Sequence, residues 1–131
     1  MDSFAIQKKV YNKVDAKYPP VIACSHGTLF IYSTANGQIR LFLSGEENNV
    51  ELAKSPFVES RVTCIAISPA HNFGVTCYED GSILIYNLIH NKIVKSLSKE
   101  LKGPITHISF ISDTDFLIFD ANLNLTLFSL A

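Results

Sequence analysis

No stretch of this chain approaches the ~20 consecutive apolar residues that a membrane-spanning helix needs. Apolar runs such as Val21-Ile22-Ala23-Cys24 and Leu29-Phe30-Ile31-Tyr32 stop at four residues, so no integral membrane segment is expected. The N-terminus, Met1-Asp2-Ser3-Phe4-Ala5-Ile6-Gln7-Lys8-Lys9, lacks the basic start and long apolar centre of a secretory signal. The expected location is therefore cytoplasmic, where Cys24, Cys64 and Cys77 stay free thiols. An excess of one charge is lacking too. Lys and Arg total 11 against 12 Asp and Glu, a formal net charge of −1, which gives no concentrated basic face for nucleic acid. Lys8, Lys9, Lys13 and Lys17 come nearest, and they read as a solvated arm rather than a phosphate-binding patch.

The residue patterns of most chemistries are absent as well. A zinc site needs four close ligands, usually with a short Cys-Cys spacing. Cys24, Cys64, Cys77, His26, His71, His90 and His107 offer no such cluster, and the histidines read mainly as turn or strand-end residues. Gly27-Thr28 lacks the further glycine and lysine of a phosphate loop. Ser25 and His26 are adjacent, so on a strand they point to opposite faces and cannot act as nucleophile and base. Glu46-Glu47 lie in a polar linker and read as solvated. Cys64 and Cys77 fall on consecutive strands and are expected to lie roughly opposite each other. They read as small buried apolar residues, with a redox pair as the alternative. The expectation is a non-enzyme with no catalytic residue, no metal and no cofactor, and no loop is singled out for binding.

What is present is strand chemistry. The chain is 47% apolar, enough to bury a core. Val, Ile, Phe, Tyr and Thr cluster in runs of five to seven, separated by Gly, Asn, Asp and Pro. Strands are expected over Val21–Ser25, Leu29–Thr34, Gln38–Leu43 and Val50–Ala53. A second group covers Val62–Ser68, Phe73–Tyr78, Ser82–Leu88 and Ile93–Leu97. A third covers Ile105–Ile111, Phe116–Asp120 and Asn124–Leu130. Ala35-Asn36-Gly37 and Glu79-Asp80-Gly81 are hairpin turns, because Asn-Gly and Asp-Gly readily take positive φ. At the matching turn of the third group Asn122 stands for Asp80 and Leu123 for Gly81. That turn is weaker, although Asn tolerates left-handed geometry. Both faces of the middle strands are apolar, as in a sheet covered on two sides.

The groups are copies of one unit. Ile39, Ile83 and Leu125 stand 44 and 42 residues apart, and a period near 40–45 with several short strands marks a propeller blade. Thr63 and Thr106 match, as do Phe42, Tyr86 and Phe128, aromatics expected to pack between blades. The fold expected is all-β: a partial β-propeller of about three blades of antiparallel strands, the last incomplete. An N-terminal arm spans residues 1–20, and the blades span about 21–54, 62–98 and 105–131. Tyr18-Pro19-Pro20 forces an extended lead-in to the first of them. About three blades fit in 131 residues, whereas propellers have ~4–8. The chain is therefore expected to be a fragment or truncated product, or to pair with a second chain. Either Phe4–Val14 supplies the missing outer strand or the chain stops in mid-blade.

The middle unit resembles a WD40-type repeat. Ile67-Ser68-Pro69 ends one strand, and Asp80-Gly81-Ser82-Ile83-Leu84-Ile85-Tyr86-Asn87-Leu88 follows. Tyr86-Asn87 stand where many repeats have Trp-Asp, and Gly103-Pro104 is the closest echo of the usual Gly-His. Over Ile6 to Leu130, the order Lys8-Lys9-Val10, Val21-Ile22-Ala23 and Ser33-Thr34-Ala35-Asn36-Gly37, then the two later blades, resembles a narrower family. That family is the N-terminal propeller of the eighth vacuolar-protein-sorting subunit, of the CORVET endosomal tethering complex. The resemblance implies a non-catalytic scaffold for vesicle tethering and protein transport, placed peripherally at endosomal membranes. Its implied partners are other tethering-complex subunits and a small GTPase.

Overall fold

In the computed structural model, residues 20–34, 38–43, 49–52 and 60–130 are described. They form eleven strands and no helix. The arm with Phe4–Val14 and its lysines, the Ala35-Asn36-Gly37 turn, Glu46-Glu47 and the side chain of Phe42 lie outside the described residues.

The strands are β1 Pro20–His26, β2 Leu29–Thr34, β3 Ile39–Leu43, β4 Asn49–Glu51, β5 Val62–Ile67, β6 Phe73–Tyr78, β7 Ile83–Asn87, β8 Lys92–Leu97, β9 Ile105–Phe110, β10 Asp115–Asp120 and β11 Leu125–Ser129. They make three antiparallel sheets, in the orders β1-β2-β3-β4, β5-β6-β7-β8 and β11-β10-β9. Strand ends differ from the sequence reading by a residue or two. The first strands stand side by side, β5 against β1 on one flank and β9 on the other. The sheets therefore fan out from a shared inner edge, as blades do.

Two apolar clusters fill the gaps between sheets. One joins Ile31, Ile39 and Leu52 of the first sheet and its end to Ile65, Ile67, Tyr78, Leu84 and Tyr86. The other joins Val75, Cys77, Ile83 and Ile85 to Ile105, Phe116 and Ile118. Alternation along β6 and β7 sends successive side chains to opposite clusters, which is why the middle strands are apolar on both faces. Of the aromatics matched by the repeat, the two with described side chains, Tyr86 and Phe128, lie in the gaps between sheets. Tyr86 is buried in the first cluster, and Phe128 packs against the second, stacked on Phe116 of its own sheet with ring centroids 5.3 Å apart. The outer strand β8 is exposed and carries Lys92 and Lys95, charges that discourage stray strand pairing.

The hairpin turns show how the repeat survives changes of sequence. In the β6–β7 loop, Tyr78 and Ser82 close a three-residue turn and only Gly81 has positive φ, +85°. This is a type I turn followed by a left-handed residue. The β10–β11 loop has the same backbone bonds, Leu123 N to Asp120 O and Asp120 N to Asn124 O. Here the left-handed residue is Leu123, φ +66°, and not the tolerant Asn122. The register of the copies places Leu123 where Gly81 stands, and the second turn must match. Asp120 compensates by accepting from the backbone N–H of Asn122 and Asn124, at 2.9 and 3.1 Å. The inner strands repeat another device. Thr63 Oγ1 donates to Cys77 O and Thr106 Oγ1 to Phe119 O, at 3.3 and 3.2 Å. The segment 98–104, a polar linker by its sequence, is tied back to the sheets. Leu101 packs into the second cluster, and its N–H bonds to Gly81 O.

Leu123 is 88% exposed, so its side chain holds nothing in place. A left-handed L-residue costs about 1–2 kcal/mol, offset in part by the backbone freedom of glycine when unfolded. Leu123→Gly is expected to stabilise by about 1 kcal/mol, read as a rise of roughly 3–5 °C in a thermal melt. Gly81→Ala should do the opposite, by about 2 kcal/mol or more. The added Cβ would run into the Leu101 carbonyl oxygen, at a φ that alanine avoids.

Candidate interaction rim and thiol pair

The β1–β2, β5–β6 and β9–β10 turns join equivalent strands, so they line one rim of the fan. Each has its own local chemistry. Gly27-Thr28 form a two-residue hairpin with Gly27 at φ +59°. Between β5 and β6, the buried Ser68 accepts with Oγ from the N–H of Asn72 and Phe73, at 3.1 and 3.0 Å, and His71 sits at φ +65°. Between β9 and β10, Ser112 Oγ accepts from the N–H of Thr114 and Asp115.

Neighbouring tips are tied to each other. His26 Nδ1 and His71 Nε2 are 2.7 Å apart, one ring donating to the other, with the rings edge to face. A Cβ on Gly27 would meet His71 Cε1 at 2.9 Å, so the histidine lies tight over the first turn. Ala70 N–H donates to Asp113 Oδ1 at 2.6 Å, linking the second tip to the third. The rim is thus three loops locked in line, with Thr28, Pro69, Ala70, Ser112 and Asp113 exposed upon it. Sequence reasoning placed His26 and His71 at strand ends and turns, where they are, but did not join them. They are 45 residues apart, close to the repeat period, and that spacing is the signal that brings equivalent tips together. His90 lies in the β7–β8 turn, whereas His107 lies within β9, paired with Phe119.

Cys64 and Cys77 are register partners on β5 and β6, as their spacing implied. Their environments differ. Burial pushes the Cys77 thiol well up and keeps it protonated. A protonated Cys77 can hydrogen-bond to the Cys64 sulfur, and that bond draws the Cys64 thiol below its ordinary value against the cost of burial. Cys64 is half-buried, and its Sγ also lies 3.8 Å from Ile105 O. Cys24 is half-buried, and burial raises its thiol. Among the described residues, no group of three or more His, Cys, Asp or Glu is placed to hold a metal ion. Among them too, no helix is long and apolar enough to cross a membrane.

On the opposite rim, carboxylates hold the turns. Asp80 is partly desolvated, which alone would raise it. Hydrogen bonds from Ser82 and Ser60, with Lys99 nearby, outweigh this and draw it below the ordinary 3.8. Asp120 is drawn down likewise by Asn124 and Asn122.

Residues 54–87 match the family model "WD40: WD domain, G-beta repeat". No curated protein matches the chain. Among solved structures, Hsv2 of Kluyveromyces lactis is similar with TM-score 0.71 at 16% identity, covering 84% of this chain and 37% of that one. The C-terminal WD40 domain of Sif2 is similar with TM-score 0.64 at 24% identity, over 79% and 31%. The WD40 β-propeller domain of Doa1 is similar with TM-score 0.65 at 16% identity, over 82% and 35%. The chain spans about a third of these chains' length, and the likeness is one of fold: three sheets of a WD40-type propeller.

Two measurements check this chemistry. Both carboxyls are depressed in the fold, so the stability they contribute is full above the ordinary value of 3.8 and is lost as pH falls below it. The melting temperature should be flat from pH 7 to about 5 and fall below about 4. Asp120→Asn keeps an acceptor for the two N–H groups and should make that fall shallower. In alkylation followed by mass spectrometry, Cys64 should react first and Cys77 only on unfolding. Cys64→Ser should remove the fast phase.

Proposed function

We propose that this chain is a non-catalytic protein-interaction scaffold, the propeller portion of an endosomal vesicle-tethering subunit. The observation that carries the scaffold reading is the rim of three turns tied tip to tip by His26–His71 and Ala70–Asp113. Loops held rigidly on a sheet framework present a surface that loses little entropy when a partner docks. The WD40 match over residues 54–87 supports the same reading. The tethering assignment rests on the resemblance of Ile6 to Leu130 to the eighth vacuolar-protein-sorting subunit. Its partners would be other tethering-complex subunits and a small GTPase, with the chain peripheral at endosomal membranes. A second reading keeps the scaffold but places it in another cytosolic assembly. It is favoured by a WD40 match that specifies a blade and no partner.

Immobilised full-length protein should retain endosomal tethering subunits from purified components. Asp113→Ala, which frees the third tip, should weaken retention by roughly tenfold while the melt stays cooperative. No retention of any tethering subunit would overturn the tethering assignment and leave the second reading.

A further inference from the structure

We propose that Cys64 and Cys77 form a reversible disulfide when Cys64 meets a hydroperoxide, so that the second sheet carries a built-in oxidation switch. The fold places the two sulfurs for this bond. Cys64 and Cys77 are register partners on the neighbouring strands β5 and β6. Facing partners in an antiparallel pair have Cα atoms about 4.5–5.5 Å apart, inside the roughly 4.4–6.8 Å that a disulfide spans. Both side chains project from the same face of the sheet: Cys77 belongs to the second cluster, and Cys64 packs against it. Their sulfurs lie within hydrogen-bonding reach of each other. Cys24 packs instead against the first cluster, with the second sheet standing between it and the pair.

The two thiols are unequal in the way such a switch needs. Cys64 is half-buried, on the strand that lies at the inner edge between β1 and β9, so a small oxidant can reach its sulfur. The hydrogen bond from Cys77 favours its thiolate, and the Thr63 hydroxyl lies 3.9 Å from the same sulfur. Cys77 is 0% exposed and is shielded from solvent. It can meet only the sulfur already beside it. An accessible thiol next to a resolving cysteine is the arrangement of a redox sensor.

The Cys64 thiolate attacks one oxygen of the hydroperoxide, and the O–O bond breaks. The departing oxygen takes up a proton and leaves as water or an alcohol. Cys64 is then a sulfenic acid, and the hydroperoxide has been reduced by two electrons. The Cys77 sulfur next attacks the Cys64 sulfur. An S–S bond forms, the S–O bond breaks, and the hydroxyl leaves as water with the Cys77 proton. An added dithiol restores both thiols by exchange.

The third sheet feels the change. Cys64 Sγ donates to Ile105 O across the junction between β5 and β9, at 3.8 Å. A disulfide sulfur has no proton to donate, so oxidation removes that link. The switch depends on the fold alone and not on the tethering reading, so either can fail without the other.

The full chain, reduced and then treated with hydrogen peroxide, is alkylated and digested without reductant. Trypsin leaves both cysteines on the peptide 62–92, which should be lighter by two hydrogen atoms. Further cleavage after Phe73 should give two halves that stay joined until dithiothreitol is added, with Cys24 still a thiol. Under the same treatment Cys77→Ala should leave Cys64 as a sulfenic acid, raising its labelling by dimedone roughly tenfold over the unsubstituted chain. Should that variant not fold, the peptide map of the unsubstituted chain decides alone. Cys64 that stays a thiol, or that oxidises to sulfenic or sulfinic acid while Cys77 remains free, would overturn the proposal. So would a bond from Cys64 to Cys24 or to a second chain.

Discussion

The structure depends on one constraint: a sheet that is apolar on both faces must be covered on both. The middle sheet meets it fully. Val75 and Ile85 face one neighbour and Leu84 and Tyr86 the other, all of them buried. Neither neighbour could be removed without exposing a full side of a core.

Hydrogen bonding does different work from packing here. Packing sets the sheets side by side, but apolar contact is non-directional and does not align them. Alignment comes from hydrogen bonds shared by the second and third units: Ser68 and Ser112 within the tips, Thr63 and Thr106 across the inner strands, and the Glu79–Arg61 and Ala121–Pro104 backbone bonds on the opposite rim. The bonds between tips, His26–His71 and Ala70–Asp113, carry that alignment from sheet to sheet. The interaction rim is in this sense a by-product of the repeat.

The turns mark how far local chemistry can be read. Asp80-Gly81 announces its turn because glycine alone takes φ +85° without strain. Leu123 announces nothing, and Asn122 was the natural choice for the left-handed residue. The backbone instead copies the turn of the preceding unit and leaves Asp120 to compensate. Similarly, Cys64 and Cys77 could be set opposite each other by counting along a hairpin. Their unequal environments could not, because the burial of Cys77 comes from the third sheet, far along the chain.

By itself the sequence determined the strands, the turn positions and the period, all local properties of alternation, Gly and Asp placement and repetition. It also implied that the strands are covered on both faces. The tertiary structure alone decided which tips touch and which thiol is buried. Each of these depends on residues about one repeat apart being brought side by side, and no local preference encodes a distance across the gap between sheets.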